Sequence, residues 1–296
     1  MSAPPPAFFL PGASAQGGQR FCLFHPAESS ARGVAIRGLV VYIHPFAEEM
    51  NKARRMAALQ ARALSQAGYA VLQMDLLGCG DSSGDFGDAT WKSWVDDVVQ
   101  ACQWVCSHTD GSSDDGHRAP LWLWGLRAGC LLAVEAASQL DKPCNFLFWQ
   151  PPSAGKPLLQ QFLRLRLAGD LLGGQSKDIM EQLRQQIANG MPVEIAGYSL
   201  SAALAGGLER AELSPPFGTR NGQRMGQRME WLELSTREGS DLSPASTKTL
   251  ALWQQAGVAV RSHVVTGPAF WQTIEIEEAP ALLAATLAAF DDRVPP

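Results

Sequence analysis

The order of apolar positions along the chain predicts strands that alternate with helices. Continuous apolar runs, typical of strands buried on both faces, lie at residues 39–43, 70–74, 120–124, 145–149, 231–234 and 259–265. Helical spacing of apolar residues follows these runs at residues 51–67, 90–107, 128–140, 244–256 and 279–290. This alternation predicts an α/β fold with a mostly parallel sheet flanked by helices, opened by an antiparallel hairpin at residues 8–10 and 19–24.

The alternation stops after the sixth strand. Residues 151–228 instead contain two helical segments, at 158–172 and 177–188, a short extended piece at 193–198, and a tail rich in Gly, Arg and Gln. We therefore predict a core formed by residues 1–150 and 229–296, with residues 151–228 inserted as a helical lid over the site below.

A sharp turn is predicted where the fifth strand meets the following helix. Residues 121–131 read LWLWGLRAGCL, an apolar strand followed by GLRAG and a helix. The pattern small-x-nucleophile-x-small belongs to the strained turn that presents a hydrolase nucleophile, because only small residues fit two positions away on either side. Gly125 and Gly129 satisfy that requirement, and Arg127 stands at the nucleophile position.

Together with two further motifs, this arrangement resembles the α/β-hydrolase fold. His44 follows the third strand, where such enzymes often carry a loop that supplies half of the oxyanion hole, and residues 75–82, DLLGCGDS, are similar to the D-x-x-G-x-G-x-S turn of the family. The resemblance implies that backbone N–H groups of Ala128 and of the Phe46–Ala47 region face the site.

Nearly the whole chain resembles, more narrowly, the exosortase A system-associated hydrolases of the second type. The matching stretches are HPFAEEMNKARR at 44–55, WGLRAG at 124–129, WQP at 149–151, QFLRLR at 161–166, IAGY at 195–198 and GPAFWQ at 267–272. This resemblance implies a bacterial cytoplasmic protein, encoded among genes for exopolysaccharide production and for sorting proteins with a C-terminal anchor signal. Proteins of such a locus are its expected partners.

Two of the three positions of a serine triad carry unsuitable residues. A guanidinium at Arg127 stays protonated and has no acceptor lone pair, so it cannot act as a nucleophile. Phe270 stands where the histidine of a Gly-x-x-His turn is expected after the last strand, and Glu238 or Asp241 can fill the acid position. Cys130 as a substitute nucleophile and His263 as a displaced base are the less favoured alternatives.

Arg127 instead predicts an anion-binding arrangement at the start of a helix. A buried guanidinium needs a partner, which is either an internal carboxylate from Glu48, Glu49 or Glu238 or an external anionic ligand. Both alternatives remain open from sequence. Further side chains can extend such a pocket, although core-edge or solvated positions are the simpler interpretation for them: Lys52, Arg54, Arg55, Trp149 and Gln150.

Composition limits the remaining function classes. Of 296 residues, 46% are hydrophobic and 18% charged, and the net charge of −5 with scattered basic residues argues against nucleic-acid binding. No apolar stretch approaches a membrane span, no signal peptide is predicted, and the six irregularly spaced cysteines indicate reduced thiols. We expect no metal or cofactor. The expected function is binding of a small anionic or acylated ligand, or of a partner, without serine catalysis; the alternative is a hydrolase or acyltransferase that uses a non-serine route on an ester, thioester or acylated saccharide.

Overall fold

A computed structural model describes residues 6–13, 17–30, 34–109, 119–169, 176–216, 219–220, 223–224 and 226–290. The strands, in chain order β1 to β12, are Ala7–Pro11, Gln19–His25, Gly38–Ile43, Tyr69–Met74, Leu121–Leu126, Cys144–Trp149, Val193–Ile195, Tyr198–Leu200, Thr219–Arg220, Gln223–Arg224, Gly226–Ser235 and Ala259–Thr266. The helices, α1 to α8, are Glu48–Gln66, Trp91–Thr109, Ala128–Ala137, Gly155–Gly169, Ser176–Ala188, Ala202–Arg210, Pro244–Gln255 and Pro280–Ala289.

Eight strands form one sheet in the order β1-β2-β4-β3-β5-β6-β11-β12. The opening hairpin β1–β2 is antiparallel, and β2 is also antiparallel to β4, whereas all later neighbours are parallel. The predicted hairpin and the predicted mostly parallel sheet are therefore confirmed. The central strand β3 is buried along its whole length, as its continuous apolar run predicts.

Helices cover both faces of the sheet because alternate residues of each strand point to opposite sides. Leu39, Val41 and Ile43 of β3 pack on one side against a core that includes residues of α2 and α3. Val40 and Tyr42 pack on the other side against residues of α1 and α8. The two cores fix the strands in place, so the turns at their carboxyl ends are held by rigid elements.

The segment that was predicted to be an insertion follows β6. It contains α4, α5, the hairpin β7–β8 and α6, and β11 re-enters the sheet at Gly226, three residues before the predicted return of the core. Helix α6 is an element that the sequence interpretation missed; Ser201 begins it by accepting a hydrogen bond from the backbone N–H of Leu204 at 3.1 Å. Parts of the predicted first helix and of the Gly/Arg/Gln-rich tail lie outside the described residues.

Candidate functional site

Three strained turns lie side by side at the carboxyl ends of the central strands. Ala47 after β3, Arg127 after β5 and Gln150 after β6 have positive φ values of 50°, 54° and 45°. Ala196, in the turn between β7 and β8, is a further non-glycine residue with positive φ in the described part of the chain. Residues other than glycine rarely adopt this backbone conformation, and strain of this kind concentrates at functional sites. This edge of the sheet is therefore the candidate functional site.

The turn at Arg127 has the geometry of a nucleophile elbow. A Cβ atom on Gly125 would lie 2.6 Å from the backbone of Cys130, and one on Gly129 would lie 2.2 Å from the carbonyl oxygen of Ile43. The Arg127 N–H donates to the carbonyl of Trp149 at 3.0 Å, and the Cys130 N–H donates to the carbonyl of Arg127 at 3.0 Å. Neighbouring chain segments therefore leave room only for glycine on both sides of Arg127.

The side chain of Arg127 pairs with Glu49, the second residue of α1. Nη2 lies 3.1 Å from Glu49 Oε1, and Nε lies 3.3 Å from the same oxygen and 3.5 Å from Oε2. Nη2 also donates to Gln161 Oε1 of α4 at 2.8 Å, and the guanidinium carbon lies 5.7 Å from the centre of the Trp271 ring. The side chains of Arg127 and Glu49 are only 13% and 19% exposed. Of the internal partners predicted for Arg127, the structure thus brings Glu49 to it.

The electrostatics of Glu49 are those of a partly desolvated carboxylate. Burial raises the pKa of the Glu49 carboxyl above its ordinary value, while the positive charge and hydrogen bonds of Arg127 act in the opposite direction. A hydrogen bond with Gln272 and the charge of Lys52 also favour the ionised form. The ion pair therefore compensates only part of the cost of burying this carboxylate.

Two helix N-termini meet beside the Arg127–Glu49 pair. Helix α1 follows Ala47 and helix α3 follows Arg127, so the first backbone N–H groups of both helices lie at this edge. Within the described residues, the N–H groups of Ala47 and Ala128 donate no hydrogen bond. Unpaired N–H groups at a helix N-terminus favour a bound anion.

Glu48, the first residue of α1, connects the insertion to the core. Its Oε2 accepts hydrogen bonds from the Tyr198 hydroxyl at 2.9 Å and from Asn51 Nδ2 at 3.1 Å. The Phe162 ring of α4 packs edge-on against Phe46, with 5.1 Å between ring centres. Polar and aromatic contacts therefore hold α4 and the β7–β8 hairpin over the strand ends.

A cavity of about 330 Å³ lies between the insertion and the strand ends. Its charged lining residues are Glu48, Glu49, Lys52 and Arg127, and Gln161 and Gln272 add amide groups. Its apolar lining residues are Phe46, Leu158, Phe162, Leu165 and Trp271. The volume lies at the small end of the range for ligand pockets, about 300–1,000 Å³. In the described ranges, no group of three or more His, Cys, Asp or Glu side chains is placed to hold a metal ion.

His44 supports the loop from below rather than lining the cavity. Its Nδ1–H donates to the carbonyl of Pro45 at 2.8 Å, and its Nε2 accepts from the N–H of Leu76 at 3.3 Å. Burial lowers the pKa of His44, so the neutral ring that this pairing requires is favoured. The side chain is a bracing residue of the β3–α1 loop.

The structure places several predicted site residues away from the cavity. Trp149 is buried and donates from Nε1 to Thr286 Oγ1 at 2.9 Å, because β6 directs this side chain towards α8. The side chain of Gln150 accepts from the N–H of Leu234 at 2.8 Å. Phe270 is fully buried against Trp149, with ring centres 6.1 Å apart, and Glu238 is exposed in the turn after β11.

The less favoured substitutes for the triad also lie elsewhere. Cys130 is buried, with its thiol 3.8 Å from the Trp149 carbonyl, and desolvation raises its pKa well above the usual value. His263 lies within β12 and contacts Glu230 Oε2 at 3.4 Å. Three basic residues of α1 were considered as an extension of the pocket. Arg54 pairs with Asp75 and Arg55 pairs with Glu278, whereas Lys52 lines the cavity.

Six residues that line the cavity were missed by the sequence interpretation: Leu158, Gln161, Phe162, Leu165, Trp271 and Gln272. Trp271 and Gln272 directly follow Phe270, in a tight turn where the N–H of Phe270 donates to the carbonyl of Pro268. The indole N–H of Trp271 is buried with no acceptor in the described part of the chain. All of the missed residues except Leu158 lie in the stretches QFLRLR and GPAFWQ, which the family resemblance had singled out without assigning them a role.

Comparison with known proteins agrees with this architecture. Residues 35–168, from just before β3 to α4, match the family model described as serine aminopeptidase, S33. Est1E from Butyrivibrio proteoclasticus, solved with ferulic acid bound, superposes with a TM-score of 0.62 at 15% identity, over 96% of each chain. The chain has the α/β-hydrolase fold.

A soluble variant of monoglyceride lipase from Saccharomyces cerevisiae shares this fold with a TM-score of 0.60 at 13% identity, over 100% of this chain and 97% of the lipase. A hydrolase-like protein from Agrobacterium vitis S4 gives 0.56 at 15% identity, over 98% and 100%. No curated protein matches the chain significantly in sequence.

Proposed function

We propose that this α/β-hydrolase-fold protein binds a small carboxylate ligand in the cavity at Arg127 and performs no serine catalysis. The observation that carries the proposal is the position of Arg127, which stands at the elbow with its guanidinium directed into the cavity and paired there with a carboxylate. Arginine recognises carboxylates through parallel N–H donors, and the helix N-termini at Ala47 and Ala128 add further positive potential.

The cavity lacks the groups for the ordinary mechanism of the fold. Guanidinium is not a nucleophile, and no histidine in the described part of the chain lines the cavity. Loss of the serine from such a unit costs about a millionfold in turnover. The polar lining therefore supports recognition rather than acyl transfer through a covalent intermediate.

The walls favour an aromatic or aliphatic body on the ligand. Phe46, Phe162 and Trp271 present ring surfaces around the charged centre. Ferulic acid, bound by Est1E, is an aromatic carboxylic acid and supplies a first probe of suitable chemistry for this chain.

The family resemblance supports a finer assignment. We propose that the protein belongs to the exosortase A system-associated hydrolases of the second type, acts in the cytoplasm and contacts proteins of an exopolysaccharide locus. The motifs at 44–55, 124–129 and 267–272 support this assignment, since these stretches supply Glu49, Arg127 and Trp271. No helix among the described residues is long and apolar enough to cross a membrane.

The binding function is tested by titration with ferulate and with its neutral primary amide. We expect saturable binding of ferulate with a dissociation constant in the micromolar to millimolar range, and at least tenfold weaker binding of the amide. Arg127→Gln is expected to abolish the preference for the carboxylate, whereas Arg62→Ala, which removes an exposed arginine on α1, is the matched control and leaves it unchanged. Equal binding of acid and amide by the wild-type protein would refute the proposal.

Hydrolysis by a water molecule that Glu49 activates is the second candidate function. It is favoured by the raised pKa of Glu49 inside the cavity, because a general base works best with a pKa near the working pH. This candidate requires turnover of acyl esters or thioesters that Glu49→Gln abolishes. An activated fluorophosphonate should label neither the wild-type protein nor Glu49→Gln, since the reagent reacts with a nucleophilic side chain and Arg127 is not one.

A further inference from the structure

We propose that the carboxylate of Glu49 occupies the ligand's own place on Arg127, and that a ligand carboxylate displaces it while Glu49 takes up one proton from solvent. This inference rests on the proposed carboxylate-binding function. It adds that in the free protein the Glu49 carboxylate occupies Arg127 as an internal competitor, and that the ligand is a monocarboxylate small enough for the cavity.

The geometry of the pair is that of a replaceable partner. The shortest distance between Arg127 and Glu49 is 3.1 Å, whereas Arg20 and Asp97 lie 2.7 Å apart and Arg228 and Glu230 lie 2.6 Å apart. Charge-assisted pairs that are well formed have lengths of about 2.7–2.9 Å. The Glu49 carboxylate therefore holds the guanidinium loosely, and a free carboxylate can approach it more closely.

The guanidinium also has unused donors. Nε and Nη2 contact Glu49 and Gln161, while Nη1 donates no hydrogen bond within the described residues. A guanidinium has five N–H groups in a planar fork, and a bidentate carboxylate uses two parallel ones. A ligand carboxylate can thus use the Nη1 side first and then replace Glu49 on the other donors.

The surroundings of Glu49 explain why its displacement is coupled to a proton. The charged groups that face Glu49 are Arg127 from the elbow and Glu48 and Lys52 from α1. The residues that face it from α4 and from the loop after β12 are neutral: Gln161, Trp271 and Gln272. Once a ligand anion neutralises Arg127, an ionised Glu49 would face that anion in a largely apolar cavity. Protonation removes this repulsion, so the pKa of Glu49 is higher in the complex than in the free protein.

The direction of the pH effect follows from this difference. Where Glu49 is ionised in the free protein and protonated in the complex, each unit of falling pH tightens binding by up to tenfold, because one proton is taken up. The gain ends at low pH, where Glu49 is already protonated before binding and the ligand itself begins to lose its charge.

The test uses calorimetric titration of the full chain with 3-phenylpropanoate between pH 5.5 and 8, in buffers of different ionisation enthalpy. We expect uptake of close to one proton per bound ligand in the upper part of this range. Glu49→Gln should bind about tenfold more tightly than wild type at pH 7.5 and take up no proton. Glu28→Gln, which removes an exposed carboxylate before β3, is the matched control and should behave as wild type.

The outcomes separate this inference from the function on which it rests. If wild type and Glu49→Gln both fail to bind the probe, the proposed function fails, and the inference with it. If wild type binds without proton uptake, or Glu49→Gln binds more weakly than wild type, the carboxylate site stands but Glu49 is not its competitor. Proton uptake by the wild-type protein is measured without any variant, so a folding defect in Glu49→Gln does not remove the test.

Discussion

Ala47 and Arg127 have almost the same backbone conformation, with φ and ψ of 50° and −128° for Ala47 and of 54° and −117° for Arg127. Each is the residue before a helix, at the carboxyl end of one of two adjacent parallel strands, β3 and β5. The fold thus turns two chain segments in the same way and brings two helix N-termini to one point. Both turns have a strained backbone at a non-glycine residue, and strain of this kind concentrates at functional sites.

The close packing of that framework makes Gly129 a sensitive position. Gly129→Ala would place a Cβ atom 2.2 Å from the carbonyl oxygen of Ile43, and backbone on both sides cannot move away easily. We expect the free energy of unfolding to fall by about 3 kcal/mol, as measured by urea denaturation.

Gly206→Ala is the matched control for this change. Gly206 also lies within a helix, α6, but a Cβ atom there meets only the flexible end of Arg210 at 3.2 Å. Its stability should rise by up to about 1 kcal/mol, the usual gain in helix propensity. Equal effects of both substitutions would contradict the close approach of α3 to β3.

A serine at position 127 is not expected by itself to make the protein a hydrolase. Arg127→Ser places a hydroxyl at the elbow, but Phe270 is buried in the core, Trp271 lies against the site, and no histidine of the described residues lines the cavity to take the proton. The rate of 4-nitrophenyl acetate hydrolysis by Arg127→Ser should therefore stay within about twofold of the wild-type rate. A clear burst of 4-nitrophenol from the variant would show that another group acts as the base.

Local sequence patterns were enough to predict the sheet and the turn before α3, but not the contacts of Arg127. Apolar periodicity located the sheet strands, and the spacing of Gly125 and Gly129 located the elbow, because both patterns are local. The partner of Arg127 was left open between an external anion and three glutamates. Two of these, Glu48 and Glu49, begin α1 and point about 100° apart, so the exact helix start decides which one faces the elbow. Trp271 was missed because a tight turn after β12, rather than a regular period, directs it to Arg127.

The pH dependence of stability gives an independent measure of the Arg127–Glu49 pair. Burial raises the pKa of Glu49 in the folded protein, and Arg127 limits that increase, so Arg127→Gln should raise this pKa further. A carboxyl with a raised folded-state pKa favours folding below its unfolded pKa of about 4.3, and this contribution is lost as the pH rises through the folded-state value.

The variant therefore loses more stability than wild type as the pH rises from about 4.3, the ordinary pKa of a glutamate. Chemical denaturation at pH 4.5, 6 and 8 should show a difference between wild type and Arg127→Gln that increases at each step. In the background of Glu49→Gln the same substitution should give a difference independent of pH. A constant difference in both backgrounds would mean that Arg127 acts on stability without Glu49.

The hydrogen bond between Tyr198 and Glu48 is expected to stabilise the β7–β8 hairpin of the insertion. Tyr198→Phe removes the hydroxyl that donates to Glu48 Oε2 at 2.9 Å, while the ring can keep its packing against Phe86, 5.0 Å between centres. A hydrogen bond to a charged group contributes about 1.5–3 kcal/mol. Because Asn51 still donates to Glu48, we expect the stability of the hairpin to fall by an amount near the lower limit of this range.

Hydrogen exchange resolves where that loss occurs. Amides of the β7–β8 hairpin should exchange several-fold faster in Tyr198→Phe than in wild type, whereas those of β3 and β5 should keep their rates, since the substitution leaves the packed ring of residue 198 in place. Glu48→Gln should give the same local increase, and the double variant should add little to either. Faster exchange throughout the sheet would instead mean that the hairpin opens only together with the sheet and does not move separately over the cavity.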